Sequence, residues 1–406
     1  MTLSIPFVWM GTLLVGLASL ASADVITDWN ETIVNASLAA QQPPPVQARD
    51  IAIVHLAMFD AVNSIEPRYT PYRIQLQAPS TTSTVAAVSA AAHGVMVGLY
   101  PAQLKYIDAE LQTALASVPD GEAKTQGVQL GEKVAAAILQ DRRNDGATAP
   151  DTYRPHAAAG AYVPTVTPAG SHWGAVKPFG LKSGTQFRPT APYALNSAQW
   201  AKDYAEIKRM GAKLGSGRTA EQTDIARFWE FTGADTYNSP VRQISAAKNL
   251  GLTENARLFA LTSLAAADAF IAIFDAKYAY GFWRPVTAIR NGDIDGNDAT
   301  ERDAGWEPLI ATPMHPEYPC AHCISDSSMA AVLSAFYGDA IPTVKLTTPT
   351  EPGVTRSFSK LSDIGTEIIN ARIYDGVHYR TSGEVGAEMG RQIGEYVMQN
   401  FLKPVR

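Results

Sequence analysis

Cysteine is almost missing from this 406-residue chain: only Cys320 and Cys323 occur, so no disulfide framework can hold the fold together. A surplus of positive charge is missing too. The formal net charge is −6 at pH 7. That balance argues against nucleic acid or an anionic membrane surface as partner, and it leaves any small anionic ligand dependent on a local cluster of cations. There is no long polar tract of the disordered kind, no internal repeat and no alternating strand pattern of any length. Beyond the N-terminal segment, no stretch reads as a membrane span. What remains is globular, 46% hydrophobic and 18% charged, with length for one large domain or two ordinary ones.

Residues 1–23 read as an export signal. Ile5 to Leu20 is an apolar run, and Ala21-Ser22-Ala23 is a small-x-small cleavage site before Asp24. The segment before that run carries no Lys or Arg, so an uncleaved anchor is the competing expectation. Cleavage predicts a periplasmic or extracellular protein.

Most of the remaining chain has helical spacing, and the expected class is all-α, two packed helical bundles. Ala48 to Ile65 places Ile51, Val54, His55, Met58 and Val62 on one stripe. Helices are expected over Val85 to Leu99, Glu122 to Arg143, Glu254 to Lys277, Met329 to Phe336, Ile364 to Arg372 and Glu384 to Phe401. Others should begin after Asn196 and after Thr219, where Gln222 completes a capping box. Residues 24–145 form the expected first bundle and 193–406 the second. Between them, 146–192 collapses into Gly, Pro, Thr and Ala. A connection that long inside a compact protein is usually functional or packs over a site.

Three short blocks in the second half carry chemistry. Lys277 and Arg284 stand seven positions apart, about two helical turns, so both could face one side, with Pro285 stopping the helix where Arg284 is aimed. Arg offers a planar fork matched to an oxyanion, and Lys a point charge. Pro319-Cys320-Ala321-His322 looks like a helix start, where free N–H groups and the dipole favour an anion and His322 is placed to move a proton. Arg372 ends a helix, Gly376 allows a turn, and His378 precedes the next helix, whose capping box would be Thr381 and Glu384. Each block alone reads as surface cations or an ordinary helix joint. Together they predict one pocket for a tetrahedral oxyanion.

In order and spacing these blocks resemble the vanadium-dependent haloperoxidase and phosphatidic acid phosphatase type 2 superfamily, whose pattern is Lys-x6-Arg-Pro, Pro-Ser-Gly-His, then Ser-Arg-x5-His-x3-Asp. Lys277-x6-Arg284-Pro285 matches fully; Cys320 and Ala321 replace the Ser-Gly pair; Ala371 replaces the leading Ser, and Ser382 stands where Asp is usual. Trp29, Pro43-Pro44-Pro45, the run Val54 to Asn63 and the run Trp306 to Tyr318 are similar to its secreted bacterial haloperoxidase-related branch.

The resemblance implies a vanadate cofactor, or phosphate in its place. His378 would be the axial vanadium ligand, or the nucleophile toward a phosphate ester. Lys277, Arg284 and Arg372 would hold oxyanion oxygens with backbone N–H groups near Cys320 and Ala321, and His322 would be the acid–base residue. His315 matches a position that is His in bromoperoxidases, which favours bromide; Phe274 joins it in the halide environment. The implied partners are hydrogen peroxide and halide, or a phosphate ester, with a homo-oligomer as one expectation. A phosphatase acting through a phosphohistidine, and a catalytically impaired oxyanion-binding relative, stay open as alternatives. Cys320 beside an oxidant implies protection, for example by bonding to Cys323, and the missing Asp at 382 removes an expected orienter of His378.

Two rivals fail on geometry. His315-Pro-Glu317 followed by Pro319-Cys320-x-x-Cys323 imitates a zinc deaminase signature, but one residue between the halves prevents convergence on one metal. A thioredoxin-type reading of Cys320-x-x-Cys323 lacks a βαβ pattern. A non-enzymatic helical binding module is the remaining rival.

Overall fold

The computed structural model describes residues 24–164 and 166–405, so the export segment 1–23 lies outside the described residues. Thirteen α-helices carry the fold among them: α1 Val25–Ala39, α2 Pro44–Ile65, α3 Thr84–Leu99, α4 Leu104–Ala116, α5 Glu122–Arg142, α6 Ala198–Met210, α7 Ala220–Phe228, α8 Ala234–Lys248, α9 Leu252–Tyr280, α10 Pro285–Arg290, α11 Ala321–Tyr337, α12 Leu361–Tyr374 and α13 Arg380–Asn400.

Helix α9 is the axis. Its 29 residues make it long and apolar enough to cross a membrane, contrary to the expectation that no such stretch follows the N-terminus; yet 94% of its apolar window is buried inside the protein. It packs on α2 in the first half and on α11 and α13 in the second, so one apolar core runs through both. A helix covered all round by other helices has no polar face, which is why length alone misleads here. Helix α2 is likewise buried on every side, with His55 and Asp60 enclosed as well as the stripe around Val54.

Glycines bring helices close where the site is built. A Cβ on Gly386, Gly390 or Gly394 of α13 would lie 2.4–2.5 Å from the carbonyl oxygens of Cys320, Ile324 and Ser328 on α11. Only hydrogen at those positions lets the two backbones touch, and this contact fixes where α11 begins.

Several local expectations need correction. A two-stranded antiparallel sheet, β1 Ala340–Thr347 with β2 Thr355–Lys360, joins α11 to α12. Pro342 interrupts its alternation, and the register shifts between Ala340 and Val344, so the period-2 signal is too short to read. Helix α6 is capped by the Ser197 side chain rather than Asn196. Helix α13 starts at Arg380 with Tyr379 as N-cap and no side-chain cap, because Thr381 instead hydrogen-bonds Asp203 on α6. The Thr219–Gln222 capping box is present. Pro285 opens α10 rather than ending α9, which stops at Gly281 in the left-handed region, φ 54°.

The segment 146–192 holds a single 3-10 turn, Trp173–Ala175, among the described residues. It is fixed by Asp268 of α9, whose carboxylate accepts the N–H groups of Phe179, Gly180 and Leu181 at 2.7–2.8 Å. It also lies along the site blocks: Trp283 N–H donates to Gly160, Ala169 N–H to Met314 and the Tyr318 hydroxyl to Thr190.

Candidate functional site

All five predicted pocket residues are buried, Lys277 at 0%, Arg284, Arg372 and His378 at 1% and His322 at 7% exposure. They come from four places. Lys277 is in the last turn of α9, Arg284 is the N-cap of α10, His322 is in the first turn of α11, and Arg372 and His378 flank the end of α12. Lys277 and Arg284 therefore do not share one helix face; the turn at Gly281 brings them together. Gly376, at φ 80° and with its Cα against Gly211, makes the turn that returns His378 toward Arg372.

The blocks are braced by aromatics next to them in sequence. Trp283, Tyr318 and Tyr379 adjoin Arg284, Glu317 and His378, and they share one core cluster with Trp200 and Phe282. Trp200 stacks on Trp283 at 5.8 Å between ring centroids and meets Tyr379 edge-on at 5.0 Å. Its indole N–H donates to Asp295 at 2.8 Å, which fixes the ring.

The hydrogen bonds assign the tautomer of His378. Arg284 Nη1, always a donor, lies 3.2 Å from His378 Nε2, so Nε2 is the acceptor and the proton sits on Nδ1. That Nδ1–H donates to Glu317 Oε1 at 2.8 Å, and the Tyr379 N–H donates to the same oxygen at 3.1 Å. The orienting carboxylate expected at position 382 is thus supplied by Glu317, from the segment before α11. Ser382 lies beside it, and its carbonyl accepts the Cys320 N–H. Burial raises the Glu317 pKa to about 8 against the pull of Arg284 and Lys277. Burial, then Arg284, Lys277 and Arg372, hold His378 well below its ordinary pKa, so its Nε2 stays unprotonated and its lone pair accepts from Arg284.

The three cations play different parts. Lys277 Nζ donates to the carbonyls of Pro316, Glu317 and Pro319, which uses all its protons and pins the Glu317 segment; it reaches an anion through its charge. Burial and then Arg284 lower its pKa to about 7. Arg284 also bonds the His315 carbonyl, His315 Nδ1 and the Val377 carbonyl. Arg372 donates Nη1 to the Trp229 carbonyl and faces Asp375, while its buried Nε has no protein partner among the described residues.

His322 has a similarly unpartnered, buried Nε2, and burial followed by Arg372 holds it neutral. The Cys320 side chain accepts the Cys323 N–H, while the N–H groups of Ala321 and His322 open α11 with no intrahelical acceptor. His315 and Phe274 meet at 5.3 Å between ring centroids. Two unpaired buried donors or acceptors, a helix start and three cations around them are the donor set a tetrahedral oxyanion requires.

A profile described as the VCPO second helical-bundle domain matches residues 257–406, the stretch that contains every one of these groups. Residues 257–406 are thus similar to that domain of the vanadium chloroperoxidases. Vanadium chloroperoxidase from Curvularia inaequalis is 24% identical over 192 residues, 39% of this chain and 31% of that protein, so the match spans about a third of that relative. Among solved structures, the first bacterial vanadium-dependent iodoperoxidase superposes with a TM-score of 0.81 at 23% identity, covering 94% of this chain and 97% of the other. The holo-type bacterial vanadium-dependent chloroperoxidase gives 0.72 at 20% identity, covering 93% and 97%. The helical-bundle architecture is therefore that of the vanadium haloperoxidases.

Three residues that support the site do not stand out in the sequence: Glu317, Asp375 and Trp200. Glu317 stands in the sequence within the run Trp306 to Tyr318 and in the zinc-deaminase imitation, while Asp375 and Trp200 carry no signal of their own. The clue for Trp200 was the aromatic beside each chemical residue. Nothing in the sequence separates Asp375 from an ordinary turn acid.

Proposed function

We propose that the chain is a vanadate-dependent haloperoxidase that oxidises halide, bromide favoured, with hydrogen peroxide. The observation carrying this reading is the unprotonated His378 Nε2, oriented by Glu317 and facing Arg284 among three buried cations. A neutral imidazole with a fixed tautomer is what a metal ligand requires. Vanadate, when bound, would supply the Lewis acid that activates peroxide toward halide.

The protein's own residues bind, orient and move protons. His378 Nε2 would hold the vanadium, while Arg372 Nε and the N–H groups of Ala321 and His322 would hold oxygens; Arg284 and Lys277 would balance the charge. His322 Nε2 accepts the proton of incoming peroxide. Its basicity is suppressed by burial and then by Arg372, Lys277 and Arg284, and an anion that neutralises these cations raises it when a base is needed. His315 and Phe274 form the wall where halide approaches. We further propose export with cleavage before Asp24, which keeps intact the side-chain cap that Asp24 gives to α1.

Bromination of a dye with peroxide, on apo-protein before and after orthovanadate, tests the reading. Activity should appear with vanadate and fall with phosphate. His378→Ala should abolish it, and His322→Ala should slow it by ~10²–10⁴-fold while leaving anion binding largely intact. Hydrolysis of a chromogenic phosphate ester, inhibited by vanadate and without bromination at any vanadate level, would replace this reading with a phosphohistidine phosphatase.

A further inference from the structure

Cys320 and Cys323 are held as a pair. Cys320 is the N-cap of α11, and its sulfur accepts both the Cys323 N–H at 3.3 Å and the Cys323 thiol at 2.6 Å. Spacing of three residues at a helix start stacks the two side chains one turn apart. Both are free thiols, 0% and 2% exposed. Cys320 belongs to the pocket itself, since the next two N–H groups along α11 are the proposed oxyanion donors. Burial pushes the Cys320 pKa up, but the Cys323 hydrogen bond, Arg372 and Lys277 outweigh it and bring it to about 7; Cys323 is pushed well up. The two partners thus divide into an acidic thiol and a proton-bearing one, as reactive dithiols do.

We propose that Cys320 and Cys323 form a dithiol–disulfide couple that reduces peroxide entering the pocket, and that its oxidation strengthens the pocket for anions. The Cys320 sulfur attacks one peroxide oxygen, the O–O bond breaks, and the departing hydroxide takes a proton to leave as water. The Cys323 sulfur then attacks the resulting sulfenic acid, the S–O bond breaks, and the second oxygen leaves with the Cys323 proton as water. One peroxide is reduced to two waters and the dithiol loses two electrons. Before this, a Cys320 thiolate competes with a bound anion for Arg372 and Lys277. Afterwards the sulfur is neutral and the Arg372 charge faces the anion. The second half of the inference rests on the oxyanion reading above; the first does not.

The test uses the full chain at pH 8, reduced or treated with hydrogen peroxide, and inorganic phosphate as probe because vanadate itself oxidises thiols. Peroxide should remove both titratable thiols of denatured protein, reversibly with dithiothreitol. Cys323→Ser should instead leave a dimedone-reactive sulfenic acid on Cys320. Oxidised wild type should bind phosphate tighter than reduced by roughly tenfold, from removal of one charge a few ångströms away. Cys320→Ser should bind equally in both conditions. Thiols that persist after excess peroxide, or equal phosphate affinity in both wild-type forms, would overturn the inference alone. Phosphate binding by neither form would overturn the oxyanion reading and this inference with it.

Discussion

Glu317→Gln separates the two ways this site can hold an anion. Glu317 Oε1 accepts from His378 Nδ1 at 2.8 Å and from Tyr379 N at 3.1 Å. The amide oxygen of Gln can still accept both, so packing survives, but above pH 8, where Glu317 is ionised, each bond changes from charge-assisted to neutral. A Glu317 pKa raised to about 8 means the fold disfavours the charged carboxylate, so the neutral amide should not lower stability. The effect on ligands divides by chemistry. Vanadate needs the basic Nε2 that Glu317 sustains, and loss of such a supporting carboxylate typically costs ~10–100-fold in metal affinity. Phosphate uses the cations and N–H donors without that bond, and removing an acid beside Arg284 and Lys277 does not weaken them. Calorimetric titration with each anion should therefore show vanadate affinity falling 10–100-fold while phosphate affinity holds or rises. An equal change for both anions would refute the argument that Glu317 acts through the His378 lone pair.

Gly390→Ala places a Cβ 2.5 Å from the Ile324 carbonyl and should cost about 1–3 kcal/mol of stability, measured by urea denaturation, with weaker phosphate binding because the α11 start shifts. Lys277→Met should lower both stability and phosphate affinity, since it strips a donor from three backbone carbonyls as well as a charge; loss of affinity alone would contradict that double role. His55, between Asn30 and Ser263, has its pKa lowered by burial from 6.5 to about 3. A depressed folded pKa gives stability that is present above 6.5 and lost as pH falls, about 2 kcal/mol by pH 5. His55→Gln should flatten the acid side of the stability profile by that amount; the opposite-signed contributions of Asp60 and Asp268 are common to both proteins and cancel in the difference.

What could be read from the sequence was what lies close along the chain. The Thr219–Gln222 box and the helices over 48–65, 85–99 and 122–143 are signalled by residues three or four apart, and the structure keeps them, the last ending at Arg142. Arg284, His322 and His378 were legible because each sits at a helix edge marked by Pro or Gly. Helix α8 was hidden by Pro240 within it, and the hairpin by Pro342. The substitution of Glu317 for a carboxylate at 382 was illegible for a different reason. Their segments meet only after α13 has closed on α11, a contact that depends on glycines four residues apart. Gly386, Gly390 and Gly394 carry that close approach.

The most direct test of the central claim is an anomalous-difference map from crystals soaked in orthovanadate. One vanadium should lie at bonding distance from His378 Nε2, with its oxygens directed at Arg372 Nε and at the N–H groups of Ala321 and His322. Vanadium bound elsewhere with His378 uncontacted, or none at saturating vanadate, would contradict it.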